Sequence, residues 1–489
     1  MRGSIRVGDA AEGVDAIAYV AGREALDWLR GVDPAASRVI ELGDFKAGLE
    51  ETALIYRLEG VPRLILSGAG GEDEWIGHAE RLRVAVAAAV KQARRLRQIR
   101  RLGIVVEKGL LEKAASEGRG ERWAVEQALI AADMANYVYS LHGRGDRPHV
   151  LDEIRIGPGD EKALESASAI AEGVRLARDL ANAPANIMGP DGLEDAAREL
   201  AKRLGLGIRV LHRGELESLG MGGILAVGSG SDKEPRLIVL EYHGGGRRVA
   251  VVGKAVAFDS GGLDLKPSQY MLEMKYDKSG GAAAMGIIAA AARLRLPVEL
   301  VALIPAVENM PSGRSYKPLD VIKMYNGLTV EVGNTDAEGR LILADALAYA
   351  AEKYKPDAMI DLATLTGAAV VALGNHAAAL MSNNEDLASG IEKAAWAAGE
   401  PAWRLPMWPV YEKQLESKVA DTNNIGGRWA GAITAAKFLE KFVDGRPWAH
   451  LDIAGVAWVQ EKGPWKPYYH QGGATGWGVR TVVEYLRGL

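Results

Sequence analysis

The chain has 489 residues, of which 48% are hydrophobic and 25% charged, and its formal net charge is -5. These values are typical of a globular protein too long for one hydrophobic core, so two domains are expected. A mildly acidic chain has no general attraction to nucleic acid. The complete absence of cysteine excludes disulfide bonds, thiolate metal sites and a cysteine nucleophile.

No targeting or membrane segment is predicted. Residues 1–7 lack the apolar run of a secretory signal. The most apolar long stretch, residues 362–381, is mostly Ala, Gly and Thr and is interrupted by Asn375 and His376. It falls short of the ~20 strongly apolar residues of a membrane span. We therefore expect a cytoplasmic protein without a membrane partner.

The first 157 residues alternate short apolar runs with helical patterns, which predicts a small α/β domain. Residues 63–68 and 102–106 are predicted strands, and residues 75–100 and 124–141 are predicted helices. This domain holds no cluster of acids or histidines with an obvious chemical spacing. We expect it to serve architecture, regulation or assembly.

One stretch of this domain, residues 91–101, is strongly basic. It contains Lys91, Arg94, Arg95, Arg97, Arg100 and Arg101. A solvated helix face is the favoured interpretation, and a local site for nucleic acid is the alternative.

Residues 144–159 are rich in Gly, Pro and charge, which indicates the exit from the first domain. We predict a linking helix over residues 158–181 and a larger catalytic domain over residues 182–489. Its predicted strands are 207–211, 236–242, 248–252, 298–305, 329–332, 358–362 and 450–455, and its predicted helices are 191–204, 282–294, 341–354 and 434–442. Several of these strands are apolar on both faces, which predicts an α/β/α domain with a central, largely parallel mixed sheet.

Metal and acid-base chemistry cannot rest on histidine pairs in this chain. The eight histidines are scattered, without a His-Glu-x-x-His motif. Carboxylates and lysines do gather after the strand 248–252, as Lys254, Asp259, Lys266 and Asp277. Either the lysines neutralise the acids by salt bridges, or the oxygens bind divalent cations, and we favour the cations.

Two other interpretations of the glycine-rich segments, a serine nucleophile and a phosphate-binding loop, are disfavoured. Asp259-Ser260-Gly261-Gly262 matches the nucleophile segment of chymotrypsin-like proteases, but that chemistry needs a histidine base on a β-barrel. Residues 228–231 and 244–246 are glycine-rich but lack a complete phosphate-binding motif, so turns are expected there.

Residues 334–341 read Asn-Thr-Asp-Ala-Glu-Gly-Arg-Leu and lie between a predicted strand and a predicted helix. Thr335 or Asp336 could simply cap that helix. The same position is also where open α/β sheets bind ligands, outside the carboxyl ends of their strands.

These segments together resemble the leucyl aminopeptidases, the dinuclear-metal cytosol aminopeptidases of peptidase family M17. The resemblance covers residues 182 to the C-terminus and rests on residues 252–254, 258–262, 265–268, 274–277 and 334–341, with flanking matches at 308–313, 361–368 and 473–481. It implies a metallo-exopeptidase that hydrolyses the N-terminal bond of peptides with leucine-like first residues.

The resemblance also implies the site. Two divalent metal ions, Zn or Mn first and Mg or Co as further candidates, would be bound by Lys254, Asp259, Asp277, Asp336 and Glu338, with Asp259 and Glu338 bridging them. Lys266 would stabilise the oxyanion, and Arg340 would hold a bicarbonate that shuttles protons. The substrate side-chain pocket would be formed by Met274, Thr364, Gly367, Ala454 and Ala457. A homohexamer is implied as well.

Metal binding by both acids of residues 334–341 places a demand on the backbone. Two residues apart in a helix, Asp336 and Glu338 would point ~200° away from each other. We therefore predict an irregular turn through Glu338, with the helix starting only near Arg340 or Leu341.

Some positions depart from the family pattern. Ala255, Ala257, Lys278 and residues 188–190 replace more usual residues without removing a ligand, and Lys278 beside Asp277 puts the metal preference in question. The alternative function is a nucleic-acid-binding regulator or assembly scaffold that keeps the aminopeptidase fold. Only the basic stretch 91–101 supports it, so nucleic acid is not an expected partner.

Overall fold

The computed structural model describes residues 3–57, 59–139, 149–157, 159–460, 466, 468 and 472–489. Two compact units form within it. The N-terminal unit comprises Met1–Ala171 and Glu461–Gly472, and the C-terminal unit comprises Glu172–Gln460 and Gly473–Leu489. The division falls inside one long helix, Glu161–Asn182, in the region predicted to link the domains.

The N-terminal unit is an α/β fold. In chain order its elements are β1 (Ser4–Val7), β2 (Ala16–Ala21), α1 (Leu26–Val32), α2 (Pro34–Glu41), β3 (Thr52–Tyr56), β4 (Arg63–Gly68), α3 (His78–Arg94), β5 (Arg101–Val106), α4 (Lys108–Ser116), α5 (Glu121–Asn136), β6 (Glu153–Gly157) and the start of α6 (Glu161–Asn182). The strands form a six-stranded sheet in the order β1-β6-β5-β2-β4-β3. All neighbours are parallel except β3 and β4.

Two predicted helices of this unit are shorter in the structure. Helix α3 ends at Arg94, because the chain turns over the next six residues to enter β5 at Arg101. Helix α5 ends at Asn136, and residues 140 and 141 of the prediction lie outside the described residues. Strand β6 was not predicted, since its five residues follow a segment whose Gly, Pro and charge indicate a loop.

The basic stretch 91–101 is largely occupied by contacts within its own unit. Arg94 donates to the carbonyls of His149 and Ala135. Arg100 pairs with Asp152 at 2.5 Å, and Arg101 pairs with Asp15 at 3.4 Å. These contacts neutralise or anchor several of the six cations, so only part of the stretch is a solvated face.

The C-terminal unit contains the rest of the fold. Its elements after α6 are α7 (Pro190–Leu204), β7 (Gly207–Leu211), α8 (Arg213–Leu219), α9 (Gly222–Gly228), β8 (Arg236–His243), β9 (Arg247–Gly253), β10 (Ala255–Asp259), α10 (Ser268–Met271), α11 (Ser279–Leu294), β11 (Val298–Asn309), β12 (Val321–Lys323), β13 (Thr329–Glu331), α12 (Gly339–Tyr354), β14 (Ala358–Ala363), α13 (Gly367–Leu373), β15 (Ala378–Ser382), α14 (Glu385–Ala397), β16 (Ala402–Arg404), β17 (Thr422–Asn423), α15 (Gly431–Glu440), β18 (Trp448–Asp452) and α16 (Val479–Leu486).

A nine-stranded sheet organises this unit, in the order β16-β15-β18-β14-β9-β11-β8-β7 with β10 paired to β11. The central strands β18, β14, β9 and β11 are mutually parallel, whereas β8, β7 and β15 add antiparallel neighbours. Helices α11 and α12 pack against the central strands β9 and β14. This mixed, centrally parallel sheet confirms the predicted fold class.

Parallel strands bring their carboxyl ends to one edge of the sheet. Strands β9, β14 and β18 end in register, with Gly253 opposite Leu362 and Ala363 opposite Asp452. The segments that follow these strands therefore meet at that edge, as expected for a ligand site. No helix among the described residues has the length and apolar character needed to cross a membrane.

Candidate metal centre

The structure brings the five predicted metal-binding residues into one cluster at this edge. Lys254 directly follows β9, Asp259 ends β10, and Asp277 lies in a 3-10 turn, Met274–Lys278. Asp336 and Glu338 lie in the turn between β13 and α12. All are buried except Asp336, which is partly exposed.

Lys254 lies at the centre of one half of the cluster. Its Nζ is 2.8 Å from Asp277 Oδ1 and 2.8 Å from Glu338 Oε1, and it donates to the carbonyl oxygen of Thr364 at 2.9 Å. The side chain reaches this position by passing over Gly339, where a Cβ atom would lie 2.6 Å from Lys254 Cε. A side chain at the first residue of α12 would therefore displace the end of Lys254 from this position.

Lys266 lies in the other half. Its Nζ is 2.9 Å from Asp259 Oδ2 and 2.5 Å from Asp336 Oδ1. One carboxylate oxygen from each of Asp259, Asp336 and Glu338 lies within 4.8 Å of the other two. The two halves thus share one concentration of carboxylate oxygens.

The electrostatics of the cluster are dominated by excess negative charge. Burial, together with the neighbouring acids, raises the pKa of Asp277 well above its ordinary value and raises that of Asp336 to about 7. Burial alone would lower the pKa values of Lys254 and Lys266, but the surrounding carboxylates outweigh it and raise both. Both lysines therefore stay protonated beside the acids, and Asp277 and Asp336 resist ionisation.

The residues fit a divalent-cation site. Four carboxylates face only two ammonium groups, and Asp277 Oδ2 is buried without a hydrogen-bond partner. An unpaired buried carboxylate oxygen is costly, and a cation is the group that removes this cost. Oxygen-rich donor sets of this kind suit hard divalent metals.

The turn over residues 334–338 is irregular, as both acids facing one cluster requires. Helix α12 begins at Gly339, one residue before the predicted start, and Glu338 is its N-cap residue without a side-chain capping bond. Thr335 does not cap the helix, because its hydroxyl donates to the carbonyl of Gly261. The capping interpretation of this turn is therefore wrong.

Arg340 lies in the first turn of α12, beside the cluster. Its Nη1 donates to the backbone carbonyl of Asn424 at 2.7 Å, and its Nε is buried without a partner. Burial lowers the pKa of the guanidinium to about 10, so it remains charged at neutral pH. A buried cation with a free donor is suited to binding a small anion.

The hydroxyl of Ser260, the alternative nucleophile, is used within its own turn. It donates to the carbonyl of Asn309 at 2.7 Å and accepts from the amide of Gly262. Gly261 and Gly262 follow with φ of +89° and +69°, which makes this a tight turn that favours glycine. The geometry gives Ser260 a structural role.

The predicted pocket residues lie on segments next to the cluster. Thr364 is buried and donates from its hydroxyl to Asp277 Oδ1 at 2.7 Å, and Met274 begins the 3-10 turn that carries Asp277. Gly367 is exposed, with open space where a Cβ would be. Ala454 and Ala457, after β18, are buried.

Asp452 connects these pocket segments and was not predicted. It is fully buried, and its Oδ1 accepts from the amides of Leu365 at 3.2 Å and Ala454 at 3.1 Å. Its Oδ2 accepts from the hydroxyl of Thr366 at 2.6 Å. The loop after β14 and the loop after β18 are therefore held by one carboxylate, which a strand-end position alone does not reveal.

Asn309 and Asn424 were also missed as members of the site. Asn309 Nδ2 donates to Asp259 Oδ1 at 2.9 Å and to the carbonyl of Thr335 at 3.0 Å. It lies in the flanking match 308–313, so a signal for it existed. Asn424 lies among polar loop residues, where one asparagine gives no sign of its partners.

Lys278, the departure from the family pattern, is bonded within the 3-10 turn that also carries Asp277. Its Nζ donates to the carbonyl of Lys275 at 2.6 Å. Burial, helped by the charge of Lys275, lowers its pKa to about 7.

Comparison with known proteins adds the family. The model of the cytosol aminopeptidase family catalytic domain matches residues 175–483, and the model of the N-terminal domain of the same family matches residues 19–141. A probable cytosol aminopeptidase of Syntrophotalea carbinolica is 45% identical over 451 residues, which is 89% of this chain and 88% of the relative. One from Cenarchaeum symbiosum is 48% identical over 376 residues, or 75% and 76%.

The chain belongs to the cytosol aminopeptidase family.

Solved structures of the family share the fold. A tomato leucine aminopeptidase mutant superposes with a TM-score of 0.87 at 30% identity, covering 100% of this chain and 97% of that one. The bottromycin maturation enzyme BotP in complex with Mn gives 0.85 at 34% identity, covering 97% and 99%. Membership of the family confirms the predicted enzyme class, a metallo-aminopeptidase.

Proposed function

We propose that this member of the family is a leucyl aminopeptidase that removes leucine-like N-terminal residues from peptides with the aid of two divalent cations. The observation that carries the proposal is the excess of buried carboxylate over ammonium at the sheet edge, with Asp277 Oδ2 left without a partner. A structural salt-bridge cluster would balance its charges and satisfy its oxygens.

Lys254, Asp259, Asp277, Asp336 and Glu338 would hold the cations, with Asp259 and Glu338 bridging. When bound, such cations lower the pKa of a coordinated water toward neutrality and polarise a carbonyl oxygen. Lys254 is protonated in the metal-free protein, because its carboxylate neighbours raise its pKa. Donation of its lone pair therefore requires that this proton leaves when the site is loaded.

Lys266 and Arg340 supply the fixed positive charges of the reaction. Lys266 is held by Asp259 and Asp336 and would stabilise the oxyanion that develops on the scissile carbonyl. Arg340, fixed by the carbonyl of Asn424, would hold a bicarbonate that carries the proton from water to the leaving amine. This arrangement performs acid-base catalysis without a histidine.

Substrate selection has two sources in this arrangement. The free N-terminal amine of a substrate would bind one of the cations, and a blocked N-terminus would lose that anchor, which restricts cleavage to the first peptide bond. Met274, Thr364, Gly367, Ala454 and Ala457 would form a pocket of small and apolar groups for the first side chain. Such pockets separate similar apolar side chains only modestly.

The remaining features of the proposal come from resemblance to the family. Zn or Mn is the expected metal pair, with Mg or Co as further candidates, and Mn is the ion in the BotP structure. The protein would form a homohexamer, act on peptides as its substrates and be located in the cytoplasm. A nucleic-acid-binding role gains no support from the basic stretch, whose cations Arg94, Arg100 and Arg101 are engaged locally.

The test is hydrolysis of leucine p-nitroanilide by the protein after chelation and separate re-addition of Zn, Mn, Mg and Co. We expect at least one metal to restore activity, and N-acetyl-leucine p-nitroanilide to resist cleavage because it lacks the free N-terminal amine. Asp277→Asn is the matched control protein and should stay inactive with every metal. Absence of hydrolysis by the unmodified chain with all four metals would refute the proposal.

A further inference from the structure

The side chain of Asn424 forms several hydrogen bonds with the backbone of the turn that carries Asp336 and Glu338. Its Oδ1 accepts from the amides of Gly333 at 2.7 Å and Asn334 at 3.3 Å. Its Nδ2 donates to the carbonyls of Asn334 at 2.8 Å and Ala337 at 3.3 Å. Both ends of one side-chain amide are thus used on the backbone of residues 333–337.

The backbone of the same residue holds the neighbouring parts of the site. The amide of Asn424 donates to the carbonyl of Glu331 at 3.0 Å, which extends the parallel pairing of β17 with β13. Its carbonyl accepts from Arg340 Nη1 at 2.7 Å. Asn424 is fully buried, so water does not compete for these bonds.

The turn needs an external support of this kind. It is not helical, and helix α12 starts without a side-chain cap. Within residues 334–338 the turn is closed by one long backbone bond, from Ala337 to Asn334 at 3.4 Å, and by a bond from the amide of Asp336 to Asn334 Oδ1 at 2.6 Å, neither of which involves Glu338. The directions of the Asp336 and Glu338 carboxylates therefore depend on contacts from outside, and Asn424 comes from a segment more than 80 residues later in the chain.

We propose that Asn424 is a positioning residue that fixes both the ligand-bearing turn and the guanidinium of Arg340. Its amide sets the turn for metal binding, and its carbonyl sets Arg340 for the chemical step. The inference rests on the proposed function, because it assigns consequences to metal affinity and turnover. It predicts that one residue which touches neither substrate nor metal controls two separate measurable quantities.

The experiment compares Asn424→Asp with a matched control, Asn136→Asp. The aspartate at 424 still accepts from Gly333 and Asn334, but it places a charged oxygen against two carbonyls. Asn136 is a buried asparagine of the N-terminal unit whose amide likewise bonds both backbone groups of Leu151, at 2.9 and 3.0 Å. The control therefore reproduces the electrostatic penalty away from the site.

The first measurement is Mn binding to the metal-free proteins by titration calorimetry, at a temperature where circular dichroism shows both variants folded. We expect about 10–100-fold weaker binding for Asn424→Asp, the usual cost of removing support for a metal ligand. Affinity of Asn136→Asp should remain within about threefold of the unmodified protein. The second measurement is turnover of leucine p-nitroanilide at saturating Mn, where kcat of Asn424→Asp should still fall about tenfold with KM little changed, because the side chain no longer holds in place the backbone whose carbonyl accepts from Arg340.

Asn424→Ser covers the case in which the aspartate variant does not fold. It removes the amide without adding charge, and the same two losses are expected. The proposal is overturned if both variants at 424 keep Mn affinity and kcat within threefold of the unmodified protein, or if Asn136→Asp shows the same losses. Failure of the unmodified protein to bind any of Mn, Zn, Mg and Co would overturn the proposed function and this inference together, whereas normal binding and turnover in the 424 variants overturns the inference alone.

Discussion

Each unit of the molecule buries a cluster of charged groups, and the two clusters are built differently. In the N-terminal unit Arg83 donates from Nη1 to Glu80 and from Nε and Nη2 to Gln127. The second oxygen of Glu80 accepts from the hydroxyl of Tyr468, and both oxygens of Glu126 accept, from Gln127 and a serine. We call this the Arg83 network. Each of its charged atoms has a partner.

The metal-centre cluster of the C-terminal unit leaves its charges unbalanced. Four carboxylates share two lysines, and Asp277 Oδ2 has no partner. Both clusters contain buried charged side chains, such as Arg83 and Lys254, so burial alone does not distinguish architecture from function. The distinction lies in the hydrogen bonds. In a network that serves stability each buried polar atom has a partner, whereas in a ligand site some polar atoms lack one until the ligand binds.

The largest expected effect on hydrolysis follows from neutralising one acid of the metal-centre cluster. Asp277→Asn keeps the shape and the bond from Thr364, but removes a negative charge and a proposed metal ligand. We expect hydrolysis of leucine p-nitroanilide to fall by at least ~10³-fold, while the melting temperature of the metal-free protein rises. Activity and thermal melting of the chelated protein measure both. A lower melting temperature would contradict the idea that the cluster is strained without metal.

Removing one charge from the Arg83 network should destabilise the protein, whereas removing one from the metal-centre cluster should stabilise it. Arg83→Met leaves Glu80 as an uncompensated buried charge, so we expect a loss of about 3–5 kcal/mol in the free energy of unfolding. Mn affinity should be unchanged. Urea denaturation and calorimetry provide the two values, and the exposed Arg38→Met, which breaks only a surface pair with Glu41, is the control. Weakened Mn binding in Arg83→Met would show that the two clusters are coupled.

A lone buried acid, Asp345, gives an intermediate case. Its oxygens accept from the amides of Ile224 and Tyr325, both at 2.9 Å, and among the described residues no charged group contributes to its pKa shift. Burial outweighs these bonds and raises its pKa from the ordinary 3.8 to about 7. The folded state therefore holds this proton more tightly than the unfolded state, and the stabilisation present at low pH is lost as the pH rises through 7.

The measurement for Asp345 is the unfolding free energy of the unmodified chain and of Asp345→Asn between pH 5 and 8.5. The unmodified chain should lose on the order of 3 kcal/mol relative to the variant across this range. The difference between the two proteins isolates Asp345 from the metal-centre acids. Parallel pH curves would mean that the amide bonds fully compensate the buried charge.

A substitution of Arg340 tests whether its unpaired guanidinium donor serves catalysis. Lysine at this position keeps the positive charge but not the planar guanidinium that binds anions through two donors. We expect Arg340→Lys to lower kcat about 10²-fold with little change in KM or melting temperature. Steady-state kinetics with and without added bicarbonate measure this. A kcat within threefold of the unmodified protein would remove Arg340 from the mechanism.

The sequence predicted the elements of the C-terminal unit closely because its strands are buried on both faces. The predicted strand 358–362 is β14, which is buried throughout and extends one residue further, and the helix predicted over 191–204 begins one residue earlier. Strand β10 was missed because it follows β9 after one residue and carries Lys254 and Asp259 at its borders. Short strands at the sheet ends, such as β16, were missed because three residues give no periodicity.

The supports of the site could not be predicted in the same way. Lys254, Asp277 and Asp336 stand in distinctive motifs, so local sequence identifies them. Asn424 and Asp452 act through hydrogen bonds to segments more than 80 residues away, and a single polar residue carries no mark of a distant partner. Their roles follow only from the fold that brings those segments together.

The smallest effect is expected where a charge is exposed. Arg100 pairs with Asp152, but both side chains are largely solvent-accessible, at 60% and 45%. Water screens such a pair and the long side chain loses entropy in forming it, so Arg100→Ala should change the melting temperature by less than ~2 °C. Activity and Mn affinity should be unaltered.

Arg100 also decides what the basic stretch contributes. Because Arg94, Arg100 and Arg101 are engaged within the unit, the unmodified chain should not retard duplex DNA at 0.15 M salt. Retardation that weakens with rising salt and disappears in Arg100→Ala would instead identify the stretch as a binding surface, since each neutralised phosphate contact reduces the salt dependence. Charged groups of this molecule are thus buried with hydrogen-bond partners, as in the Arg83 network, buried with too few partners, as in the metal-centre cluster, or exposed. Only the metal-centre cluster is expected to bind metal.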